Sequence, residues 1–215
     1  MSAVFFDMDG TLFDTVGDLA AGVNATRVKL GFAEIPKEAV VAAVGNGARK
    51  LLERTIPEKA DAVEEVLPLY LATYNEHALD TTTPYPGVMR TLGALADRGW
   101  KMGVVTNKPR EATVAIIEHF GLRRYFRDAI VAGGDCVEMK PAALPIREAA
   151  SRMGGHRLSS HDWMVGDNWT DLEAAANAGI KSAFCTYGIG RIDGRRFNER
   201  INRFDELLRF LKPED

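Results

Sequence analysis

The chain has 215 residues, 46% of them hydrophobic, and a formal net charge of −3 at pH 7. That length allows one large domain or a domain carrying an insert, with ordinary apolar content for a sizeable core. Slight acidity argues against a broad basic surface for nucleic acid or an anionic membrane, and no uncharged stretch approaches the ~20 residues of a membrane span. The two cysteines, Cys136 and Cys185, form no metal-like cluster. No basic region precedes the first apolar stretch, so no signal peptide is expected. A reduced, cytoplasmic, disulfide-free protein is the simplest account.

The chain opens with Val4-Phe5-Phe6-Asp7-Met8-Asp9-Gly10-Thr11, an apolar run that ends in two aspartates. A short apolar run bounded by Gly reads as a buried parallel strand. If the strand period continues, Asp7 and Asp9 point to one side. Two anions side by side at a buried edge repel, and such a pair needs a cation, a shared proton or strong hydrogen bonds. The competing reading is a loop with two solvated aspartates.

After Thr15 the pattern turns helical. Helices are predicted over Asp14 to Leu30, Pro36 to Val44, Ala48 to Arg54 and Ala60 to His77, broken at Gly31 and Asn46-Gly47. No strand is predicted between residues 15 and 84. The block closes at Thr83-Pro84-Tyr85-Pro86-Gly87, which is turn chemistry.

From there the chain alternates as βαβ units do. Helices are predicted over Val88 to Arg98, Ala112 to Phe120, Leu144 to Met153, Leu172 to Ala178 and Glu206 to Leu211. Strands are predicted over Lys101 to Thr106, Ala129 to Ala132, Asp162 to Gly166 and Lys181 to Thr186. The expected fold is α/β: a Rossmann-like, doubly wound parallel sheet core of residues 1–14 and 86–215, with an all-helical insert of residues 15–85. Gly188 to Arg203, rich in Arg and Gly, receives no role. Trp163 is expected in the core, and Trp169 either lines a cleft or packs.

Parallel strands present their C-terminal ends on one edge, where open α/β sheets build their sites. Four distant segments end there: Asp7 and Asp9; Thr106, Asn107 and Lys108; Lys140-Pro141; and Gly166-Asp167 through Asp171. Taken singly, Thr106 reads equally as a helix N-cap, Lys108 and Lys140 as solvated loop charges, and Asp167 and Asp171 as first-turn acids. Their joint placement is what points to a site. Oxygen ligands without a His or Cys cluster suit a hard cation, and Mg²⁺ fits best. Lysine and hydroxyl groups bind phosphoryl oxygens, one carboxylate can attack phosphorus, and a second can move the proton.

The pattern D-x-D-G-T at Asp7 to Thr11, a strand ending in Thr106, Lys140-Pro141 and G-D-x-x-x-D at Gly166 to Asp171 resembles the haloacid dehalogenase superfamily, in its phosphoglycolate phosphatase-like group. The motifs stand in the family's order over nearly the whole chain. The resemblance implies a helical cap over the core, and the single insertion point predicts hinges at Asp14-Thr15 and Tyr85-Pro86-Gly87. It implies Asp7 as nucleophile and Asp9 as general acid/base, with Thr106 and Asn107 holding the phosphoryl group and Lys140 pairing with nucleophile and phosphate. It implies Mg²⁺ held by Asp7, the Asp9 backbone carbonyl, Asp167 and, directly or through water, Asp171. Dehalogenases of the superfamily lack the second aspartate, so Asp9 favours phosphoryl transfer.

Val44-Gly45-Asn46-Gly47 looks like the cap loop of phosphoglycolate phosphatases, and Arg49 beside it is a candidate to meet a small carboxylate if it points into the cleft, against the favoured reading of a solvated helix residue. Lys140-Pro141-Ala142-Ala143 departs from many relatives in lacking a second proline. The expected partner is a small phosphorylated metabolite, preferably 2-phosphoglycolate, for a monomer or homodimer without nucleic-acid or membrane partners. Sugar-phosphate, nucleotide or pyrophosphate hydrolysis, a mutase, or a phosphonate hydrolase using Lys29, Lys37, Lys50 or Lys59 stand as alternatives. A non-catalytic phosphoaspartate receiver is the remote one, disfavoured by the large insert after the first strand.

Overall fold

A computed structural model describes residues 2–212. The chain enters through β1 (Ala3–Phe6), all four residues buried, as an apolar strand covered on both faces must be. A two-residue strand β2 (Phe13–Asp14) leads into four helices, α1 (Val16–Lys29), α2 (Lys37–Ala43), α3 (Gly47–Thr55) and α4 (Val63–His77), with a 3-10 stretch Pro57–Ala62 before α4. The return is β3 (Thr83–Pro84), which pairs antiparallel with β2. The remainder alternates: α5 (Val88–Asp97), β4 (Lys101–Pro109), α6 (Arg110–His119), α7 (Arg123–Phe126), β5 (Ile130–Gly133), α8 (Leu144–Arg152), β6 (Trp163–Gly166), α9 (Trp169–Ala178), β7 (Lys181–Cys185) and β8 (Glu199–Ile201). It closes on a 3-10 stretch, Phe204–Arg209.

The main sheet is parallel, in the order β5-β4-β1-β6-β7-β8. That order is doubly wound, with the reversal between β1 and β6, where such sheets open a crevice beyond their carboxyl ends. Alternation along the strands divides the core into two layers. Val4, Phe6, Val104 and Val165 face Leu92, Leu95 and Phe204 on one side. Phe5, Val105 and Met164 face Ile146 and Ala174 on the other. The helical segment has its own cluster around Leu19, Val23, Leu52, Val66 and Tyr70, which reaches Ala112 of α6.

Asp18 ties this segment to its return. Its buried carboxylate accepts from the amides and hydroxyls of Thr81 and Thr82, at 2.5–2.9 Å. Four charge-assisted bonds hold the end of the excursion against its first helix.

The structure differs from expectation at the weakly patterned places. The β2–β3 ribbon, α7 and the edge strand β8 were not predicted, and the C-terminal helix is a 3-10 stretch. β4 runs on to Pro109, with a register shift against β5 between Val105 and Pro109. That irregularity carries Thr106, Asn107 and Lys108. Trp163 is buried against Phe210, its ring 4.7 Å away. Trp169 packs under the Arg195 guanidinium at 4.9 Å. Among the described residues no helix is long and apolar enough to cross a membrane, and both cysteines are free.

Candidate active site

The reversal point of the sheet brings Asp7, just beyond β1, beside Asp167, just beyond β6. The Asp7 amide donates to the Val165 carbonyl at 3.0 Å, continuing the β1–β6 pairing by one residue. Asp7, Asp167 and Asp171 are buried and each offers a carboxylate oxygen within 4.8 Å of the others. Lys140, itself buried, reaches in between, its Nζ 3.0 Å from Asp7 Oδ1 and 2.6 Å from Asp171 Oδ1. The solvated-loop reading of Lys140 therefore fails. One ammonium, in contact with two of them, stands in a cluster of three carboxylates.

Electrostatics follow from that imbalance. Burial, then the charges of Asp171 and Asp7, push Asp167 up to about 8, against two amide donors that pull it down. Burial also raises Asp171, although Lys140 draws it back. Burial works against the Lys140 ammonium, but Asp171 and Asp7 outweigh it and its proton is held more tightly than usual. Carboxylates held above their unfolded values bind protons more tightly when folded. Stability is therefore greatest below about pH 4 in respect of these groups and is lost as pH rises towards about 8. The metal-free protein should melt progressively lower from pH 5 to pH 8. Millimolar Mg²⁺ should restore the midpoint, more at pH 8 than at pH 5, by differential scanning fluorimetry. A midpoint insensitive to Mg²⁺ at pH 8 would count against an ion here.

The donor set fits that ion. Three buried oxygen donors with an excess of negative charge, and no His or Cys among them, suit a hard divalent cation that keeps some of its waters. The Asp9 carboxylate stands outside this set. It accepts from the Thr15 hydroxyl at 2.7 Å and from Lys108 Nζ at 2.8 Å.

The local backbone is shaped around Asp167. Gly10 has φ +79°, and a Cβ there would lie 2.1 Å from Asp167 Oδ2. Cβ atoms on Gly188 and Gly190 would lie within 2.5 Å of Asp167 atoms. Through these glycines the loop after β7 comes close enough for the Ile189 and Gly190 amides to donate to Asp167 Oδ2 at 2.8 and 2.7 Å. The Thr11 hydroxyl donates to its other oxygen at 3.0 Å. Asp171 serves two ends. Oδ1 meets Lys140, while Oδ2 accepts the Asn168 amide and completes a capping box at the start of α9. Asp171 is thus a first-turn acid whose other oxygen faces the acidic cluster.

Thr106 is buried at the edge of the cleft, its Oγ1 accepting from the Lys108 amide at 3.2 Å. The Asn107 side chain has a different task from the expected one. Its Nδ2 donates to the carbonyls of Gly45 and Lys140, and its Oδ1 accepts from the Lys140 amide, each at 3.0 Å. The amide group thus braces the lysine loop and the α3 entry against β4.

For Arg49 the structure takes the solvated-helix reading over the carboxylate-binding one. Its side chain is 57% exposed and pairs with Glu53 and Glu64, because Leu51 and Leu52 take the inner face of α3. Arg49 is absent from the cleft lining, which the α2–α3 loop reaches through Gly45, Gly47 and Ala48. Lys29 is bonded to Thr73 and Lys50 to Glu53, and neither they nor Lys37 and Lys59 line the cleft.

Sequence reasoning undervalued Lys108. Its side chain is fully buried, bonded to Asp9 and to the Tyr74 phenol, with Nζ 4.7 Å from the centre of that ring. The one sequence signal was its place directly after Thr106-Asn107.

A family model for haloacid dehalogenase-like hydrolases matches residues 4–185. The phosphoglycolate phosphatase of Aquifex aeolicus is 32% identical over 211 residues, spanning 98% of this chain and 97% of that protein. The phosphoglycolate phosphatase of Neisseria meningitidis serogroup A is 34% identical over 227 residues, spanning 100% and 95%. A crystal structure described as a predicted phosphoglycolate phosphatase from Haemophilus somnus superposes with a TM-score of 0.88 at 27% identity, covering 97% of each chain. With the motifs, the sheet order and these full-length likenesses in agreement, the chain belongs to the haloacid dehalogenase-like hydrolase family, among its phosphatases.

Proposed function

We propose that the protein is a Mg²⁺-dependent phosphomonoesterase that works through an aspartyl-phosphate, with 2-phosphoglycolate as its preferred substrate. The observation that carries the mechanism is the cluster of Asp7, Asp167, Asp171 and Lys140, with Asp9 and Thr106 beside it. Full-length likeness to phosphoglycolate phosphatases supports the substrate.

On this reading an Asp7 oxygen attacks phosphorus, forming one O–P bond as the ester P–O bond breaks. Asp9 gives its proton to the departing alkoxide, then takes one from the water that hydrolyses the acyl phosphate and frees Asp7. Thr106 and Lys140 meet the phosphoryl oxygens, and the Thr15 hydroxyl orients Asp9. Asp7, Asp167, Asp171 and the Asp9 backbone carbonyl would hold Mg²⁺, which when bound supplies charge neutralisation for the phosphoryl group. Residues 15–85 act as the cap that keeps bulk water from the cleft.

Phosphate release from a panel of phosphomonoesters and pyrophosphate, with Mg²⁺ and with EDTA, tests both parts. A metal-dependent preference for 2-phosphoglycolate is expected. Equal rates in EDTA would remove the metal, and a better substrate of another class would replace 2-phosphoglycolate.

A further inference from the structure

Lys108 is buried in the cleft wall with a hydrogen-bonding capacity that the protein does not fill. An ammonium carries three donors. The Asp9 carboxylate and the Tyr74 phenol take two of them. No third acceptor lies within hydrogen-bond distance among the described residues, and Lys108 lines the cleft. Stripping water from a cation is costly unless its donors are met, so this ammonium suits one further anionic acceptor. Lys140 is held between Asp7 and Asp171, and Arg49 faces outward. Among the cleft-lining residues Lys108 is the one cation placed for a group beyond the phosphoryl centre.

Geometry says which group. In the reaction proposed above, Asp9 lies within hydrogen-bond reach of the leaving ester oxygen. In a phosphorylated α-hydroxy acid a single carbon separates that oxygen from the carboxylate. A cation 2.8 Å from Asp9 Oδ1 stands where such a carboxylate arrives. We propose that Lys108 is the specificity-determining residue of the site: its ammonium, held by Tyr74, receives the carboxylate of a phosphorylated α-hydroxy acid. The inference rests on the phosphatase reading and names the group that reading leaves open.

Tyr74 gives the arrangement its rigidity. Its ring stacks on Tyr70 with 5.6 Å between centroids and 5° between planes, and both tyrosines come from α4. The lysine is thus anchored by β4 and aimed by the helical segment.

Three substrates of similar size separate the outcomes: 2-phosphoglycolate, ethyl phosphate and phosphoethanolamine, which end in a carboxylate, a methyl and an ammonium group. With Mg²⁺, the native enzyme should show kcat/KM falling in that order, roughly 10- to 100-fold between the first two. Lys108→Met should bring the ratio of the first two close to one, chiefly through KM for 2-phosphoglycolate, whereas Lys108→Arg keeps most of it. Taking the ratio cancels any common effect on Asp9. Native enzyme that treats 2-phosphoglycolate and ethyl phosphate alike would overturn the substrate reading itself. A native preference that survives in Lys108→Met would overturn the role of Lys108 alone. If Lys108→Met does not fold, Tyr74→Phe decides, since it keeps the aromatic stack and removes the bond to Lys108. A lower ratio supports the proposal, and an unchanged one overturns it.

Discussion

Asp7→Asn is expected to abolish turnover and leave the protein folded. The substitution keeps the shape of the side chain and an oxygen that can still accept from the Met8 amide, now 2.7 Å from Asp7 Oδ1, and from Lys140. What it removes is the anionic oxygen that attacks phosphorus in the proposed reaction. Loss of a covalent nucleophile costs roughly 10⁴-fold or more in kcat. Stability should move the other way. One of three mutually repelling buried carboxylates becomes neutral, so the metal-free midpoint should equal or exceed that of the native protein. Rapid quenching of the native enzyme with substrate should yield a phosphoryl adduct on the peptide bearing Asp7, and the variant should yield none. Residual activity above about a tenth of native would overturn nucleophilic catalysis by Asp7.

The second large effect belongs to Lys140→Met. The substitution removes the one ammonium that Asp7 and Asp171 share. Breaking a buried ion pair from one side costs about 3–5 kcal/mol because the remaining charge is uncompensated. For a chain of this size that lowers the midpoint by roughly 6–20 °C. The loss should be greatest near pH 8 and smaller near pH 5, where Asp167 and Asp171 take up protons more readily than ordinary carboxylates. Mg²⁺ should recover part of it. Activity should fall by roughly 10²–10³-fold even in the folded, metal-loaded variant, since a preorganised cation at the phosphoryl group is gone. A variant that melts with the native protein at pH 8 would show that Lys140 does not balance this cluster.

Asp7 and Asp167 were legible in sequence as candidates because each follows an apolar strand. A parallel strand must be apolar throughout, so Asp7 after Phe5-Phe6 and Asp167 after Met164-Val165 stand out, and sheet topology does the gathering. What was not legible depends on partners remote in sequence. Lys108 after a strand reads as solvated until Tyr74, 34 residues earlier, is seen to cover it. Asn107 reads as a phosphate ligand until the Gly45 and Lys140 carbonyls take up its amide. Arg49 is chosen or rejected by the rotation of α3, which Leu51 and Leu52 settle by burial. β8 is a three-residue edge strand with only Ile201 buried, too short for any period to show. The glycine-rich start of the segment left without a role, Gly188 to Gly190, proves to enclose Asp167.

The β2–β3 ribbon has a consequence for how such a protein diversifies. Asp14 lies opposite Thr83, so the helical excursion departs and returns at neighbouring residues. A segment with adjacent ends can be lengthened, shortened or exchanged wholesale without disturbing Phe6 against Val104 and Val165, the pairings just before Asp7 and Asp167. Recombination at Phe13–Asp14 and Thr83–Pro84 would therefore exchange the helical segment and keep the sheet that carries Asp7 and Asp167. The conditions on a transplanted segment are few: an apolar surface to meet Ala112, and a group to take the place of Tyr74 over Lys108. An exchanged segment would thereby change the setting of Lys108, which Tyr74 supplies, and leave Lys108 itself in place on β4.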